Sequence, residues 1–261
     1  MLNNLKDEPD VTPLADMAVY EDAEFYDLEF ADRQHDAAFF IEQAKQAHGP
    51  VLEVACGTGR ITLPIARAGI AITGLDVTRS MLDLARRKSQ AEALPVTWLE
   101  QDCRAIHSEQ HFSLIFSATN AMQHLHDFDS VNAFLRSARN VLAPGGTLIL
   151  DVFNPDISKL ARSAPARYHH KSIVDAEGKE IRVDATSSYD AASQILRFEL
   201  YYLRNGEYLR TKAVSMRCFF PEELLALCRF NGFDVVQRLG DYDGSPFTTQ
   251  SPKQILFCHA V

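Results

Sequence analysis

The stretch Val51 to Arg60, VLEVACGTGR, puts an acid, Glu53, inside an apolar run and then breaks into the small residues Ala55, Gly57 and Gly59 before Ile61 resumes the apolar pattern. A strand that ends this way and feeds a helix brings main-chain N–H groups against a ligand, because glycine has no Cβ to hold the ligand off. An ordinary strand-to-helix turn is the competing reading, and the rest of the chain decides between them. Two further acids close apolar runs downstream, Asp76 in AITGLDV and Asp102 in VTWLEQD. A fourth apolar run, FSLIFSA, leads through TNAMQHLH to Asn120 and His124. Carboxylates accept charge-assisted hydrogen bonds and suit a cationic ligand. A histidine near neutral pH can take a proton. A dinucleotide-binding G-x-G-x-x-G is a poor fit, because Thr62 stands where its third glycine would let the helix pack closely.

The elements that must position these residues show as a rhythm. Strand-length apolar runs alternate with helix-period segments: VLEVA with ITLPIARAG, AITGLDV with SMLDLARRKSQAEA, and FSLIFSA with FDSVNAFLRSARNVL, with GGTLILDVF following the turn Pro144-Gly145-Gly146. That alternation predicts an α/β fold with a parallel sheet and crossover helices. Ligands of such sheets gather beyond the carboxyl ends of the strands, which puts Ala55 to Gly59, Asp76, Asp102 and Asn120 on one edge. From about Tyr168 to Arg217 the pattern turns strand-like, in IRVDATSSY, ILRFELYYL and YLRTKAVSMR, with turn signals at Glu177-Gly178 and Asn205-Gly206. An antiparallel insertion is expected there. The earlier pattern returns with a helix in PEELLALCRFNG, ended by Asn231-Gly232, and two last strands in FDVVQRL and KQILFCHAV.

Composition narrows the function. The chain has 261 residues, 46% hydrophobic and 23% charged, with a net charge of −9, which fits a globular domain and argues against a nucleic-acid partner. Five cysteines without a C-x-x-C pair, and the acidic NNLKDEPD after Met1, predict a cytoplasmic protein with no export signal and no membrane span. The His169-His170 pair has no cysteine or carboxylate at ligand spacing, so no metal site is expected.

In their order and content the motifs resemble the class I S-adenosylmethionine-dependent methyltransferases, small-molecule type, whose first motif runs acid, two small or apolar residues, then C-G-T-G or a near variant. Glu53 to Arg60, GLDVTRSML, EQDCR, FSLIFSATNAMQHL and NVLAPGGTLILDV carry the resemblance, over about Val51 to Phe153. It implies a seven-stranded, mostly parallel sheet of order 3-2-1-4-5-7-6 with flanking helices, plus the small antiparallel β insertion, and it implies S-adenosyl-L-methionine as cofactor. It also implies roles. Gly57 and Gly59, beside Ala55, would let the amino-acid tail approach; Asp76 would bind the ribose hydroxyls; Asp102 and Cys103 would lie at the adenine; Glu53 would orient the loop or the ammonium. Arg60, Val77, Met81 and Ala118 complete the expected cofactor set. Tyr26, in the pair Tyr26-Asp27, would fold over the cofactor and face its sulfonium, an attraction of about 0.5 to 2 kcal/mol. Packing of the entering helix is the plainer reading of Tyr26 and of Tyr20. The family often has glycine where Ala55 stands.

The implied activity is methyl transfer to a small-molecule nitrogen or oxygen; the alternatives are transfer of another group on the same fold, or a non-catalytic cofactor-binding partner or sensor. In-line displacement on an activated methyl needs orientation rather than a covalent nucleophile, and a base only when the acceptor has a proton to lose. His124 is the candidate base, with Asn120 beside it, and loop packing is an equal reading of His124. Residues 1–48 are expected to form a lid and helix, 49–165 and 218–261 the cofactor-binding domain, and 166–217 a substrate cap or a homodimer surface. The loop GDYDGSPFTTQSP, with Tyr242, Pro246, Phe247 and Pro252, and the tyrosine-rich FELYYLRNGEY are expected to shape the substrate site.

Overall fold

The computed structural model describes residue 14 and residues 17–33, 35–161, 166–175 and 177–261; parts of the expected lid, residues 1–13, 15, 16 and 34, lie outside them. The acidic, aromatic segment forms a short helix α1 (Ala23–Glu29), and the amphipathic α2 (His35–Gln46) follows. Then come β1 (Val51–Val54), α3 (Thr62–Arg67), β2 (Ile72–Asp76), α4 (Arg79–Ala91), β3 (Thr97–Glu100), β4 (Phe112–Ser117), α5 (Phe128–Val141), β5 (Leu142–Phe153) and the single turn α6 (Ile157–Leu160). The insertion supplies β6 (Tyr168–Val174), β7 (Glu180–Asp190), β8 (Ile195–Arg204) and β9 (Glu207–Arg217), and α7 (Pro221–Phe230), β10 (Phe233–Leu239) and β11 (Lys253–Ala260) close the chain.

The main sheet runs β3-β2-β1-β4-β5-β11-β10, the expected order once the four insertion strands are set apart. Its first five strands pair in parallel, and β11 is antiparallel to both its neighbours. Every residue of β1 and β2 is buried, as a parallel strand covered on both faces requires. One face packs α5 through Val131, Phe134, Leu135 and Ala138 against Leu52 and Leu148. The other packs α2 and α3 through Phe40, Ala44 and Ile65, with the rings of Phe40 and Phe116 stacked at 4.5 Å. The main sheet is therefore a fixed platform with its carboxyl edge free. Pro144-Gly145-Gly146 lies inside β5 instead of ahead of it: Leu142 pairs with Phe112 and Thr147 with Leu114, so the extra residues bulge out of the ladder.

The insertion is an antiparallel meander, β6-β7-β8-β9. Its β8–β9 turn, Asn205-Gly206, has φ of 52° and 82°, the left-handed pair a two-residue hairpin requires. Ile173, Ile181, Val183 and Tyr202 form a core of their own with Phe25 and Leu28 of α1 packed on it. The N-terminal helix and the insertion, distant in the chain, thus make one lobe above the sheet edge. Its polar centre is Glu29, which takes the Tyr202 hydroxyl at 2.6 Å and the ammonium groups of Lys212 at 3.1 Å and Lys171 at 3.2 Å. Among the described residues no helix is long and apolar enough to cross a membrane.

Candidate active site

A first cavity, of about 190 Å³, opens at the carboxyl ends of β1, β2 and β4. Its floor is the glycine loop. Gly57 holds φ at +55°, and a Cβ there would meet nothing nearer than the Tyr26 ring at 3.9 Å, so the loop presents bare backbone to open space. Ala55 also has a positive φ, 57°, a conformation costing a side-chain-bearing residue about 1 to 2 kcal/mol. The Asp76 carboxylate fixes the loop to the end of β2: one oxygen takes the Gly57 N–H and the other the Thr78 N–H, both at 2.8 Å. Burial raises the pKa of Asp76, and those backbone N–H groups pull against the rise. Thr78 takes the N-cap position of α4 without a side-chain capping bond.

Glu53 lies under the loop, fully surrounded, with the Thr62 hydroxyl donating to it. Burial pushes its pKa up to about 8, against the pull of Thr62 and Arg60. Arg60 is spent on structure. Its guanidinium grips Asp36 with two bonds of 2.7 and 2.6 Å and reaches the Thr119 hydroxyl at 2.9 Å, tying α2, the glycine loop and the end of β4 together. Asp27 anchors α1 to the loop by accepting from Thr58 at 2.5 Å and pairing with Lys88. Its neighbour Tyr26 faces the cavity, and burial raises its phenol pKa to about 12.

The wall opposite the loop holds Asn120, His124 and Tyr20. Thr119 and Asn120 both have positive φ, 55° and 67°. The buried Asp151 carboxylate holds this turn in place: it accepts from the Thr119 N–H at 2.8 Å, the Tyr242 hydroxyl at 2.6 Å and Lys253 Nζ at 2.5 Å. His124 Nε2 and the Tyr20 hydroxyl share a 2.8 Å hydrogen bond, with the two rings edge to face. A second cavity, of about 800 Å³, lies between the sheet edge and the insertion, and Tyr20, Tyr26, Phe30, Arg33, Asn120 and Met216 line both. Leu196, Phe198 and Leu200 of β8, with Val214 and Met216 of β9, give the second cavity its apolar wall.

Of the residues singled out in the sequence, Tyr26, Glu53, Ala55, Gly57, Arg60, Asp76, Val77, Met81, Cys103, Ala118, Asn120 and His124 all line the first cavity. Two do not. Asp102 turns away because Arg104 holds both its oxygens at 2.6 to 3.1 Å, and Gln101 stands at the cavity in its place. Gly59 faces the interior: a Cβ there would sit 2.9 Å from Trp98 Cη2, so its bareness serves packing and its φ of +80°. Tyr242 and Phe247 are also absent from both linings. Tyr242 packs against Phe39 and Phe40, Phe247 lies under Arg238, and the later part of their loop, Thr249 to Pro252, reaches the second cavity instead. In the tyrosine-rich strand the alternate residues Phe198 and Leu200 do so. His170 is exposed and also borders that cavity. Met216 and Asp151 were not singled out in the sequence: Asp151 stands near the end of the motif NVLAPGGTLILDV but acts through Thr119, Tyr242 and Lys253, and Met216 reaches the cavities only through the docking of β9.

Residues 51–146 match the methyltransferase domain family. A Bacillus subtilis protein named as a methyltransferase, YqeM, is 32% identical over 220 residues, 82% of this chain and 85% of that one. The cypemycin N-terminal methyltransferase of a Streptomyces species is 24% identical over 93% of this chain and 98% of its own. The solved structure of the methyltransferase CcbJ from Streptomyces caelestis superposes with a TM-score of 0.77 at 26% identity, covering 90% of this chain and 96% of that one. The chain belongs to the class I S-adenosylmethionine-dependent methyltransferases. S-adenosyl-L-methionine is its cofactor, and the bare Gly57 backbone beside the Asp76 carboxylate fits that molecule's amino-acid tail and ribose.

Proposed function

We propose that the protein methylates a nitrogen or oxygen of a small molecule held in the second cavity, with the cofactor in the first. The observation that carries this reading is the shared wall: Tyr20 and Asn120 border both cavities, so a group in one can meet a group in the other there. When bound, the cofactor supplies an activated methyl group. The chain's own residues hold the partners in line, exclude water and take the proton. Asn120, locked by the Asp151–Lys253 pair, orients the acceptor atom. His124 serves as the base, and the Tyr20 hydroxyl relays: it takes the acceptor's proton as its own passes to His124 Nε2. Asp76 binds the ribose hydroxyls, and Gln101 and Cys103 border the adenine.

The insertion works as a substrate cap, which its apolar face over the second cavity supports. Nitrogen is favoured as the acceptor, as the name of the cypemycin N-terminal methyltransferase suggests. Five free cysteines and the acidic charge support a cytoplasmic setting. β6, an edge strand with Val174 exposed, could seat a second copy, and light scattering reads that directly. The functional test is transfer of labelled methyl from S-adenosylmethionine to a panel of small amines and phenols. Release of S-adenosylhomocysteine in step with a methylated amine or phenol is expected; cofactor binding with no transfer to any member would overturn the reading.

A further inference from the structure

The second cavity carries a charge opposite to that of the molecule. The chain has a net charge of −9, yet this cavity is lined by Arg33, Lys159, Lys171 and Lys212 against only Glu29 and Asp156. The two carboxylates are already engaged. Asp156 pairs with Lys159 at the rim, at 3.6 Å. Glu29, 6% exposed, is shared by Lys212, itself 8% exposed, and Lys171. Burial opposes the charge of Glu29, but the two lysines and Tyr202 outweigh it and hold its pKa below the usual range. It is therefore ionised, and one carboxylate faces two ammonium groups.

Arg33 adds a further cation. Its guanidinium has no carboxylate within ion-pair distance among the described residues, and it and Lys171 both lie on the Phe30 ring, at 4.8 and 4.9 Å from its centroid. The one histidine in the lining, His170, exposed at the rim, is kept towards its neutral form by the partial desolvation of its ring against the cavity wall and by Lys171. Arg33 is exposed and Lys171 half-buried, so both cations reach the water of the cavity, and unbalanced positive charge beside an apolar wall complements an anion that carries an apolar body. We propose that the acceptor is an apolar molecule bearing an anionic group, a carboxylate or a phosphate, and that Lys171 and Arg33 are the specificity-determining residues that hold this group. The inference rests on the second cavity being the acceptor site. It adds the class of molecule that cavity selects.

The test uses matched naphthalene probes, which vary only the charged end: 2-naphthoate, 2-naphthyl phosphate, 2-naphthalenemethanol and 2-naphthylmethylammonium. Each is titrated by calorimetry into protein saturated with S-adenosylhomocysteine. At least one anion should bind about tenfold or more tightly than the alcohol, and the ammonium most weakly of all; a tenfold ratio corresponds to about 1.4 kcal/mol. The tighter anion tells carboxylate from phosphate. Lys171→Met and Arg33→Met should each remove most of that preference and leave the alcohol's affinity unchanged. Lys171→Met keeps Glu29 bonded to Lys212 and Tyr202, so its fold is expected to survive, and its affinity for S-adenosylhomocysteine serves as the check. Equal binding of alcohol and anions, tighter binding of the ammonium, or a preference that survives both substitutions would overturn the proposal. Failure of S-adenosylhomocysteine itself to bind would sink the functional reading instead, because the naphthalene series can be run on the cofactor-free protein.

Discussion

The two cavities share Tyr20, Tyr26 and Asn120 but are assembled differently. Most of the first cavity comes from strand ends and the loops directly after them, between Glu53 and Leu125, with Tyr20, Tyr26, Phe30 and Arg33 of the N-terminal segment completing its wall. The second cavity gathers side chains from many separate elements: α1, the end of β5, α6, β6, β8, β9 and the loop at Thr249 to Pro252. The first uses acids and backbone; the second uses cations and aliphatic side chains. A parallel sheet holds the loops at its strand ends rigidly, whereas the second cavity takes its shape from how the insertion and α1 dock.

Breaking the His124–Tyr20 pair behind the shared wall should have the largest effect. His124→Ala is expected to lower turnover about 10² to 10⁴-fold with cofactor affinity nearly intact, and the remaining rate should rise with pH as the acceptor deprotonates unaided. Tyr20→Phe should show the same pH trend more weakly. An unchanged rate for His124→Ala across the pH range would remove the base. On the cofactor side alone, Gly57→Val should abolish binding of S-adenosylhomocysteine while circular dichroism stays native, since the added side chain enters open space at a strained φ.

Gly59→Val separates ligand contact from packing. Its side chain would collide with Trp98 and Leu63, so a loss of stability of about 2 to 4 kcal/mol in urea titration is expected before any specific effect on binding. Reduced affinity at unaltered stability would return Gly59 to the cofactor set. Glu53 gives a subtler signal. Its folded pKa near 8 lies above the unfolded value of 4.5, so between those pH values the native state keeps a proton that the unfolded chain has lost. Its contribution to stability is present below about pH 4.5 and is lost as pH rises towards 8. Denaturation midpoints measured from pH 5 to 8 should fall less steeply in Glu53→Gln, and parallel slopes would count against the shift. The smallest expected change is Ala55→Gly. Relief of the positive φ should raise stability by up to about 1 kcal/mol, offset in part by the added chain entropy of glycine.

The sequence by itself determined the parallel sheet and the insertion, and the family resemblance of its motifs supplied the strand order. The first two rest on local signals: a run that must be buried on both faces, a helix period, a glycine at a strand end. Because strand ends in such a sheet share one edge, placing Asp76, Asn120 and His124 in the chain also placed them in space. The same logic does not fix where Asp102 and Gly59 face, because their surroundings depend on Arg104 and Trp98. Only the tertiary structure decided the second cavity. The pairing of Glu29 with Lys171 and Lys212, and the arrival of Met216 beside Asn120, join residues about 90 to 180 positions apart. Nothing in a window of ten or fifteen residues records such a meeting, since it depends on how the insertion docks on α1 and not on any local preference of the backbone.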